Sequence, residues 1–377
     1  MNQRYDVCII GGGAAGLACA TSIDSGIRTC ILEKNEILGR KILATGGGRC
    51  NLTNAGCAGA SATLDFFALR GLESCCDSEG RYYPYSECAA DVVRVLEDSI
   101  NKTYCDVMTS AEVFNVSTSD EGFRIQFRQG SKGKATSKEG AAVREDAILA
   151  DALVIASGGK AGPQFGTTGD GYRLAKGLGH RVSRLYPILT GIQCGDFSDL
   201  KGIRARGAVS LYRDGEKIGE ERGQIQFTGD GVSGICVFNL TLLIKAEEGE
   251  GPRDAMKRYQ LCLDLAPDLT EDQIRPRDSV FGIVTGPLAR RLDTETIKSW
   301  RLPVLGIKGW KDAQCTGGGV ILEEIDPQTQ ESRLVPGLYF AGEILDIQGP
   351  CGGFNLQNAW ETGIRAAKAI NERAKDF

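Results

Sequence analysis

The sequence is poor in the residues that build metal sites and charge-relay triads. It contains one histidine among 377 residues, and no two of its cysteines stand in a Cys-x-x-Cys spacing. A single histidine excludes a histidine-rich metal site and argues against a Ser-His-Asp triad. The lack of that cysteine spacing argues against zinc, thioredoxin-like and iron–sulfur sites. We therefore predict a protein without a bound metal ion.

Positive charge is also in short supply. Lysine and arginine number 44 against 49 aspartates and glutamates, which gives a formal net charge of −5. Proteins that bind duplexes usually carry a broad basic footprint, so we expect no nucleic acid as partner. We expect a small-molecule substrate instead, and the sequence leaves open whether the protein is a monomer or a homodimer.

The cysteines and the apolar segments indicate the cellular compartment. The 14 cysteines are too dilute in this chain for a disulfide scaffold, so we expect reduced thiols and a cytoplasmic location. The uncharged run at residues 7–23 contains four glycines, and it is shorter than the ~20 residues that a membrane span needs. We therefore expect neither membrane insertion nor export.

Glycine, in contrast, is abundant. The chain has 50 glycines and only 11 prolines, which excludes collagen-like and Pro/Gly-rich disordered sequences. Glycine adopts positive φ and lets the backbone approach another group closely. The positions of the glycines are therefore the main evidence for a ligand site.

The first 33 residues carry a dinucleotide-binding fingerprint. Residues 7–10 predict a buried strand that ends in Gly11-x-Gly13-x-x-Gly16, and a helix and a second apolar run lead to Glu33. The glycines permit a tight turn, approach to a pyrophosphate and packing of the helix on the strand. The acidic side chain can bind a ribose diol. These features predict a βαβ unit that binds a dinucleotide.

A second glycine-rich block lies at residues 39–54. It contains three successive glycines together with Arg40, Lys41 and Arg49. Bare backbone beside positive charge suits a pyrophosphate, so we predict that this block belongs to the same site.

Two later turns also follow predicted strands. The apolar run 152–156 continues into Ser157-Gly158, and a short apolar strand at 337–341 continues into Gly342-Glu343, with a helix from about Asn355. Ligands of open α/β sheets gather at the carboxyl ends of strands. We therefore predict that both ends of the chain build one nucleotide domain.

These blocks resemble a known family. Residues 6–16 and 33 match the general FAD fingerprint, and GRKILATGGGRCNLTN at 39–54 and GLYFAGEILDIQGPCGGFNLQN at 337–358 match blocks of the BaiN-like (YhiN-type) flavoproteins. That family includes aminoacetone oxidases and proposed bile-acid reductases. The resemblance covers essentially the whole chain. One departure is Phe227-Thr228-Gly229-Asp230, because relatives often have a histidine directly after Phe-Thr.

The resemblance implies an α/β fold with a Rossmann-type, glutathione-reductase-like FAD-binding domain. A β-barrel-like insert and a small helical domain would interrupt it. The implied boundaries are 1–187 with 320–377 for the FAD-binding domain, 188–238 with 301–319 for a β-rich substrate-side insert, and 239–300 for a helical subdomain.

The resemblance and the motifs together define the predicted FAD site. The pyrophosphate would lie on the first glycine turn, the adenosine ribose on the acid after the second strand, and the flavin pyrimidine edge at the start of the last helix. The predicted cofactor-binding residues are Gly11, Gly13, Ala14, Ala15, Gly16, Glu33, Lys34, Arg40, Lys41, Gly48, Arg49, Cys50, Asn51, Val113, Ser157, Gly158, Gly342, Glu343, Gly353, Phe354, Asn355 and Leu356.

The expected activity is that of an FAD-dependent oxidoreductase with hydride transfer through flavin N5. The first hypothesis is a reductase that uses NADH or NADPH to reduce an activated C=C bond, such as that of a dehydro-bile-acid-like ketone. A flavin amine oxidase of the aminoacetone oxidase type and a flavin-binding redox sensor stay open as alternatives. We assign no residue as catalytic acid or base. We interpret His180 as a residue at the end of a helix and Cys50 as a packing residue.

Overall fold

The computed structural model describes residues 3–130, 144–246 and 250–375. The chain divides into two compact units, which are residues 1–186 with 315–377 (unit 1) and residues 187–314 (unit 2). The three-part domain division expected from the resemblance stays a prediction.

The strands and helices are as follows, in chain order. The strands are β1 Gln3–Ile10, β2 Thr29–Glu33, β3 Thr53–Asn54, β4 Ser74–Cys76, β5 Arg81–Pro84, β6 Cys105–Thr109, β7 Ala111–Ser119, β8 Gly122–Gln129, β9 Arg144–Ile155, β10 Tyr186–Ile188, β11 Ile192–Gln193, β12 Arg204–Arg213, β13 Glu216–Thr228, β14 Gly231–Ser233, β15 Tyr259–Asp264, β16 Trp300–Pro303, β17 Gly306–Ile307, β18 Cys315–Gly317 and β19 Leu338–Phe340. The helices are α1 Ala14–Ala20, α2 Ala60–Ala68, α3 Ala89–Ile100, α4 Asp170–Gly177, α5 Ile235–Leu240, α6 Pro252–Met256, α7 Glu271–Ile274, α8 Gly286–Ala289 and α9 Phe354–Ala374.

Unit 1 is built on a seven-stranded sheet. Its order is β6-β2-β1-β9-β8-β7, and β19 also pairs with β9. Strands β6, β2, β1, β9 and β19 run parallel, whereas β7, β8 and β9 pair antiparallel. The apolar runs form these strands because both faces of a parallel sheet are covered and water is excluded. The parallel strands therefore point their carboxyl ends to one edge.

Helices α1 and α9 pack closely on one another beside this sheet. A Cβ added at Gly363 of α9 would lie 2.3 Å from the Ala15 carbonyl oxygen of α1, and one at Gly16 would lie 1.9 Å from the Gly11 carbonyl oxygen. Only glycine permits these approaches, so the first glycine turn and the last helix are held together by backbone contact.

Unit 2 contains a second seven-stranded sheet, with the order β16-β15-β12-β13-β14-β11-β17. All six pairings along this order are antiparallel. One face packs on a core that includes Val209, Leu211, Ile225 and Phe227. The other face of β12 and β13 carries polar side chains.

One part of unit 2 differs from the sequence expectation. Residues 239–300 were expected to be helical, but they contain β15, which pairs with β12 and β16. Alternate side chains of β15 are buried and half-buried, the period of a strand with one core face. The helices α6, α7 and α8 in the same segment are short, and prolines lie within or between them.

Within the described part of the chain, no helix is both long and apolar enough to cross a membrane.

Candidate cofactor-binding site

The carboxyl edge of the unit 1 sheet brings four predicted turns together. Strands β1, β2, β9 and β19 end at Ile10, Glu33, Ile155 and Phe340, directly before or at predicted site residues. The strands are neighbours in the sheet and run parallel. Segments separated by more than 300 residues in the sequence therefore line one edge, where α/β proteins bind ligands.

The first glycine turn is shaped for a phosphate group. Gly11 has a φ of +105°, and a Cβ there would lie 2.6 Å from the Ala156 carbonyl oxygen. A Cβ at Gly13, in contrast, would meet no described atom within 4 Å. Gly13 is also the N-cap of α1, and no described side chain caps that helix. Ala14 and Ala15 follow in its first turn, so backbone N–H groups face an open space, as a pyrophosphate requires.

Glu33 is held in place by the backbone around it. Its side chain is buried, and Oε2 accepts a hydrogen bond from the Gly12 N–H at 2.7 Å. Oε1 accepts from the backbone N–H and the side-chain amide of Asn35, at 2.7 and 2.6 Å. The carboxylate is thus oriented at the end of β2, where a ribose hydroxyl can donate to it.

Two predicted cations at this end are engaged with side chains of the protein. Lys34 forms an ion pair with Asp170 and donates a hydrogen bond to the Thr168 hydroxyl at 2.7 Å. Arg40 donates to Asn35 Oδ1 at 2.9 Å. Both side chains brace the loop around Asn35.

Lys41 and Glu343 meet across the site. The Lys41 ammonium lies 2.6 Å from Glu343 Oε2, and Oε1 accepts hydrogen bonds from both the N–H and the hydroxyl of Thr316, each at 2.9 Å. Burial alone would lower the pKa of Lys41, but the charge of Glu343, the nearby Cys315 and the hydrogen bond to Glu343 together outweigh it, and the pKa lies above its ordinary value. Lys41 is therefore a fixed cation. Thr316 was not among the predicted residues; the signal that could have found it is the run of three glycines that follows it at 317–319.

The loop from Gly46 to Asn51 is conformationally unusual. Gly46, Gly47 and Gly48 have φ values of +58°, +68° and +91°, and Cys50 has a φ of +60° although it is not a glycine. The Arg49 guanidinium lies 4.3 Å from the centre of the Tyr83 ring. Three exposed glycines in left-handed conformation leave the backbone uncovered by side chains.

Cys50 is a packing residue in this loop. Its side chain is fully buried, and burial raises the pKa of the thiol to about 12. A protonated, inaccessible thiol is a poor nucleophile. This agrees with the interpretation of Cys50 as structural.

The N-terminus of α9 faces the same loop. Gly353 is its N-cap with a φ of +105°, and a Cβ there would lie 2.5 Å from the Thr53 carbonyl oxygen and 2.9 Å from Asn51 Oδ1. The Asn355 side chain accepts from the Gly349 N–H at 3.0 Å and donates to the Gly349 carbonyl at 2.8 Å, so it braces the turn before the helix. Phe354 and Leu356 lie in the same first turn.

The remaining predicted residues lie in three places. Ser157 follows β9, and its buried Oγ has no hydrogen-bond partner among the described residues. Gly158 has a φ of +73° and Gly342 one of +81°. A Cβ at Gly342 would lie 2.8 Å from that of Ala15. Val113 lies in β7, two strands away from β9, and its buried side chain belongs to the core.

The lone histidine belongs to a separate, buried cluster. His180 Nδ1 lies 3.0 Å from Glu324 Oε2, and its Nε2 lies 2.8 Å from the Ser332 hydroxyl. Ser332 Oγ also accepts the N–H groups of Leu334 and Val335, at 3.0 and 2.9 Å. Burial lowers the pKa of His180. The geometry resembles a triad, but the imidazole is enclosed by the protein, so we assign it a structural role.

The comparison with family models decides the family. The model of the HI0933-like protein Rossmann domain matches residues 5–64 and 58–369. The chain belongs to the HI0933-like family. This confirms the resemblance that was inferred from residues 39–54 and 337–358.

Two proteins similar to this chain have names that denote an enzymatic activity. The 3-dehydro-bile acid delta(4,6)-reductase of Clostridium scindens is 32% identical to this chain over 97% of this chain and 98% of the relative. The ribosomal RNA dihydrouridine synthase of Escherichia coli is 26% identical over 98% of both chains. Among solved structures, the 3-ketosteroid-delta4-(5alpha)-dehydrogenase of Rhodococcus jostii aligns with a TM-score of 0.52 at 14% identity, over 98% of this chain and 97% of that one. This last likeness shows a shared fold.

The residues at the sheet edge fit the FAD of an HI0933-like Rossmann domain. Gly13 leaves space for phosphate, Glu33 is oriented for a ribose, and the buried polar atoms of Ser157 and Asn51 lack partners within the described chain. No group of three or more metal-binding side chains occurs among the residues that the structure describes. The protein is an FAD-dependent oxidoreductase with a Rossmann-type cofactor domain. The individual contacts of the predicted site residues with FAD stay predictions.

Proposed function

We propose that the protein reduces a C=C bond conjugated to a carbonyl group in a small molecule, with NADH or NADPH as electron donor. The observation that carries this proposal is the 32% identity to the 3-dehydro-bile acid delta(4,6)-reductase over nearly the full length of both chains. An unsaturated ketone related to a dehydro-bile acid is therefore the first substrate class to test. When bound, FAD supplies hydride transfer at N5.

The residues of the chain would position the cofactor and balance charge. The N–H groups in the first turn of α9 carry partial positive charge, which stabilises negative charge that accumulates next to them. Lys41 adds a permanent cation that is oriented by Glu343. Such fixed dipoles and charges favour the reduced state of a bound group without reorganisation during the reaction.

The nicotinamide donor would bind without a nucleotide domain of its own. The sequence carries one dinucleotide fingerprint in a parallel βαβ unit, at residues 11–16. A second Gly-x-Gly-x-x-Gly pattern, at residues 229–234, lies in the antiparallel hairpin of β13 and β14 and therefore does not form such a unit. Because FAD takes the first fingerprint, NADH or NADPH would have to dock on the flavin face directly. We propose transient binding, in which the oxidised nicotinamide leaves before the substrate is reduced.

Reduction of uracil in ribosomal RNA is a second candidate. The name of the Escherichia coli relative denotes reduction of the uridine ring, whose C5=C6 bond is also conjugated to a carbonyl. The outer face of the unit 2 sheet presents Arg204, Arg206 and Arg222, all exposed, on adjacent strands. Clustered arginines favour phosphate groups. The net charge of −5 argues the other way, so a small molecule stays our first proposal.

An anaerobic bleaching experiment separates these functions. Purified protein, with its cofactor released from an aliquot and identified, is mixed with NADH or NADPH, and the loss of the flavin absorbance is followed. A 4-en-3-one bile acid, the saturated 3-ketone of the same skeleton, and a uridine-containing ribosomal RNA fragment are then added separately. Our proposal expects bleaching by a nicotinamide and reoxidation by the enone but not by its saturated control.

Each other outcome counts against the first proposal in a different way. Reoxidation by RNA alone supports the second candidate. Bleaching by a small amine, with peroxide formed in air, supports an amine oxidase. A flavin that no nicotinamide and no amine bleaches supports a redox sensor with little turnover.

A further inference from the structure

The Asn51 side chain is buried without a partner. It is 8% exposed, and its Oδ1 accepts no hydrogen bond from any described residue. Leaving a buried acceptor unpaired destabilises a protein, and buried polar side chains in native proteins are nearly always paired. An unpaired amide in a glycine-rich loop next to a cofactor site therefore indicates a hydrogen-bond partner that the chain itself does not supply.

No described side chain fills this role. The Thr53 hydroxyl donates to Gln357 Oε1 at 2.6 Å. The Asn355 amide is occupied by the turn at Gly349 and Pro350. Both groups thus already have partners, and Gln357 Nε2, which is also buried without a partner, forms no hydrogen bond with Asn51.

The position of Oδ1 identifies the chemistry of the missing partner. Oδ1 would lie 2.9 Å from a Cβ added at Gly353, which is the N-cap of α9. The first N–H bonded within α9 is that of Gln357, to the Gly353 carbonyl at 2.9 Å, so the N–H groups of residues 354–356 precede the helical hydrogen bonds. One acceptor therefore stands beside a group of donors. A ligand that satisfies both must present an N–H next to a carbonyl oxygen.

We propose that the Asn51 amide oxygen accepts the N3–H of the FAD pyrimidine ring, while the first turn of α9 donates to the adjacent ring carbonyl. The imide edge of that ring places N3–H between two carbonyl oxygens. This arrangement is complementary to the Asn51 acceptor and the N–H donors of α9. With the adenosine end of FAD predicted at Glu33, the pyrimidine edge is the remaining part of FAD that presents an N–H next to carbonyl oxygens. Asn51 thus selects the flavin ring by hydrogen bonding. The proposal depends on FAD binding and not on the identity of the substrate.

The test uses FAD methylated at N3, which cannot donate this hydrogen bond. The full-length protein is freed of FAD and titrated with FAD or with the methylated analogue, and both dissociation constants are measured by flavin fluorescence. The wild type should bind the analogue at least ~10-fold more weakly, since one hydrogen bond to a buried acceptor corresponds to about that factor. In Asn51→Ala this discrimination should fall close to one, because the acceptor is gone.

Two further variants complete the test. Asn51→Asp keeps an acceptor at the same place and should keep the discrimination, even if Asn51→Ala fails to fold. Asn54→Ala is the matched control, because the Asn54 amide donates to the Gly352 carbonyl at 2.8 Å and accepts from the Gly56 N–H at 2.9 Å. It should leave the ratio of the two dissociation constants unchanged. The midpoint potential of the bound flavin should also shift in Asn51→Ala but not in Asn54→Ala.

Two results would overturn the proposal. One is a wild-type protein that binds FAD and its N3-methyl analogue equally well. The other is an Asn51→Ala variant that discriminates between them as strongly as the wild type does.

Discussion

Lys41 and Glu343 form an ion pair over 2.6 Å although 302 positions separate them in the sequence. The pair joins the second glycine-rich block to the end of β19, and both side chains are largely buried, at 26% and 20% exposure. Each half of the cofactor site is thereby fixed to the other by charge as well as by the sheet.

Removal of the Lys41 charge should destabilise the protein measurably. In Lys41→Met, Glu343 keeps its hydrogen bonds from Thr316 but loses its cation. We expect the free energy of unfolding to fall by about 1–3 kcal/mol, measured by urea denaturation. The matched control is Arg4→Met, which breaks the ion pair with Asp151 that is about half exposed; there we expect a loss below about 1 kcal/mol. Equal effects of both variants would contradict a buried role for the pair.

Two glycine substitutions should separate folding from cofactor binding. Gly13→Ala adds a methyl group where no described atom lies within 4 Å and φ is −88°, so the chain should fold normally. The methyl group would occupy the space expected for the pyrophosphate, and FAD affinity should fall at least ~10-fold, or about 1.4 kcal/mol. Gly26→Ala, which is equally open, is the control and should bind FAD as the wild type does. Normal FAD affinity in Gly13→Ala would show that the phosphate lies elsewhere.

Protonation of His180 should make the free energy of unfolding depend on pH. Burial lowers its pKa in the folded state, so below the ordinary value near 6.5 the unfolded chain binds more protons. The stability contribution is thus present above about pH 6.5 and is lost as the pH falls through the lower folded value. The chain has no other histidine. The free energy of unfolding should decrease between pH 7 and 5.5, by at most about 1.4 kcal/mol per pH unit.

The control for this prediction is His180→Gln, which retains hydrogen-bonding atoms but does not titrate. Its free energy of unfolding should vary less over the same interval than that of the wild type. Glu324, which bonds the imidazole, stays charged over this interval: burial raises the pKa of its carboxyl, but hydrogen bonds from Arg181 and His180 outweigh this and keep the pKa below the ordinary value. An unchanged pH profile in the variant would remove His180 as the source.

The cysteines should differ strongly in their reactivity. Cys76 is exposed on β4, whereas Cys50 is buried with the pKa of its thiol raised to about 12. At pH 8, iodoacetamide should therefore label Cys76 within minutes and leave Cys50 unmodified, as read by mass spectrometry of tryptic peptides. Rapid labelling of Cys50 in the folded holoprotein would contradict its assignment as a packing residue.

Features formed by residues close together in the sequence were predictable, whereas contacts between residues far apart in the sequence were not. The turn from Gly11 to Gly16 and Glu33 could be predicted because strand, turn and helix follow one another within a short segment. The pairing of Lys41 with Glu343, and the role of Thr316, depend on how β9 and β19 adjoin in the sheet, which no local pattern encodes. The strand Tyr259–Asp264 was missed because short helices and prolines surround its two-residue period.

The last helix gives the site a temporal order. Residues 11–16 are synthesised more than 330 residues before the turn at Gly353 and the first turn of α9 that face Asn51. A nascent chain therefore holds only half of its cofactor site until α9 has been made. Cofactor uptake then requires both segments: a chain truncated before α9 should stay colourless, and the yellow of the flavin would mark molecules in which α9 has folded against the first glycine turn.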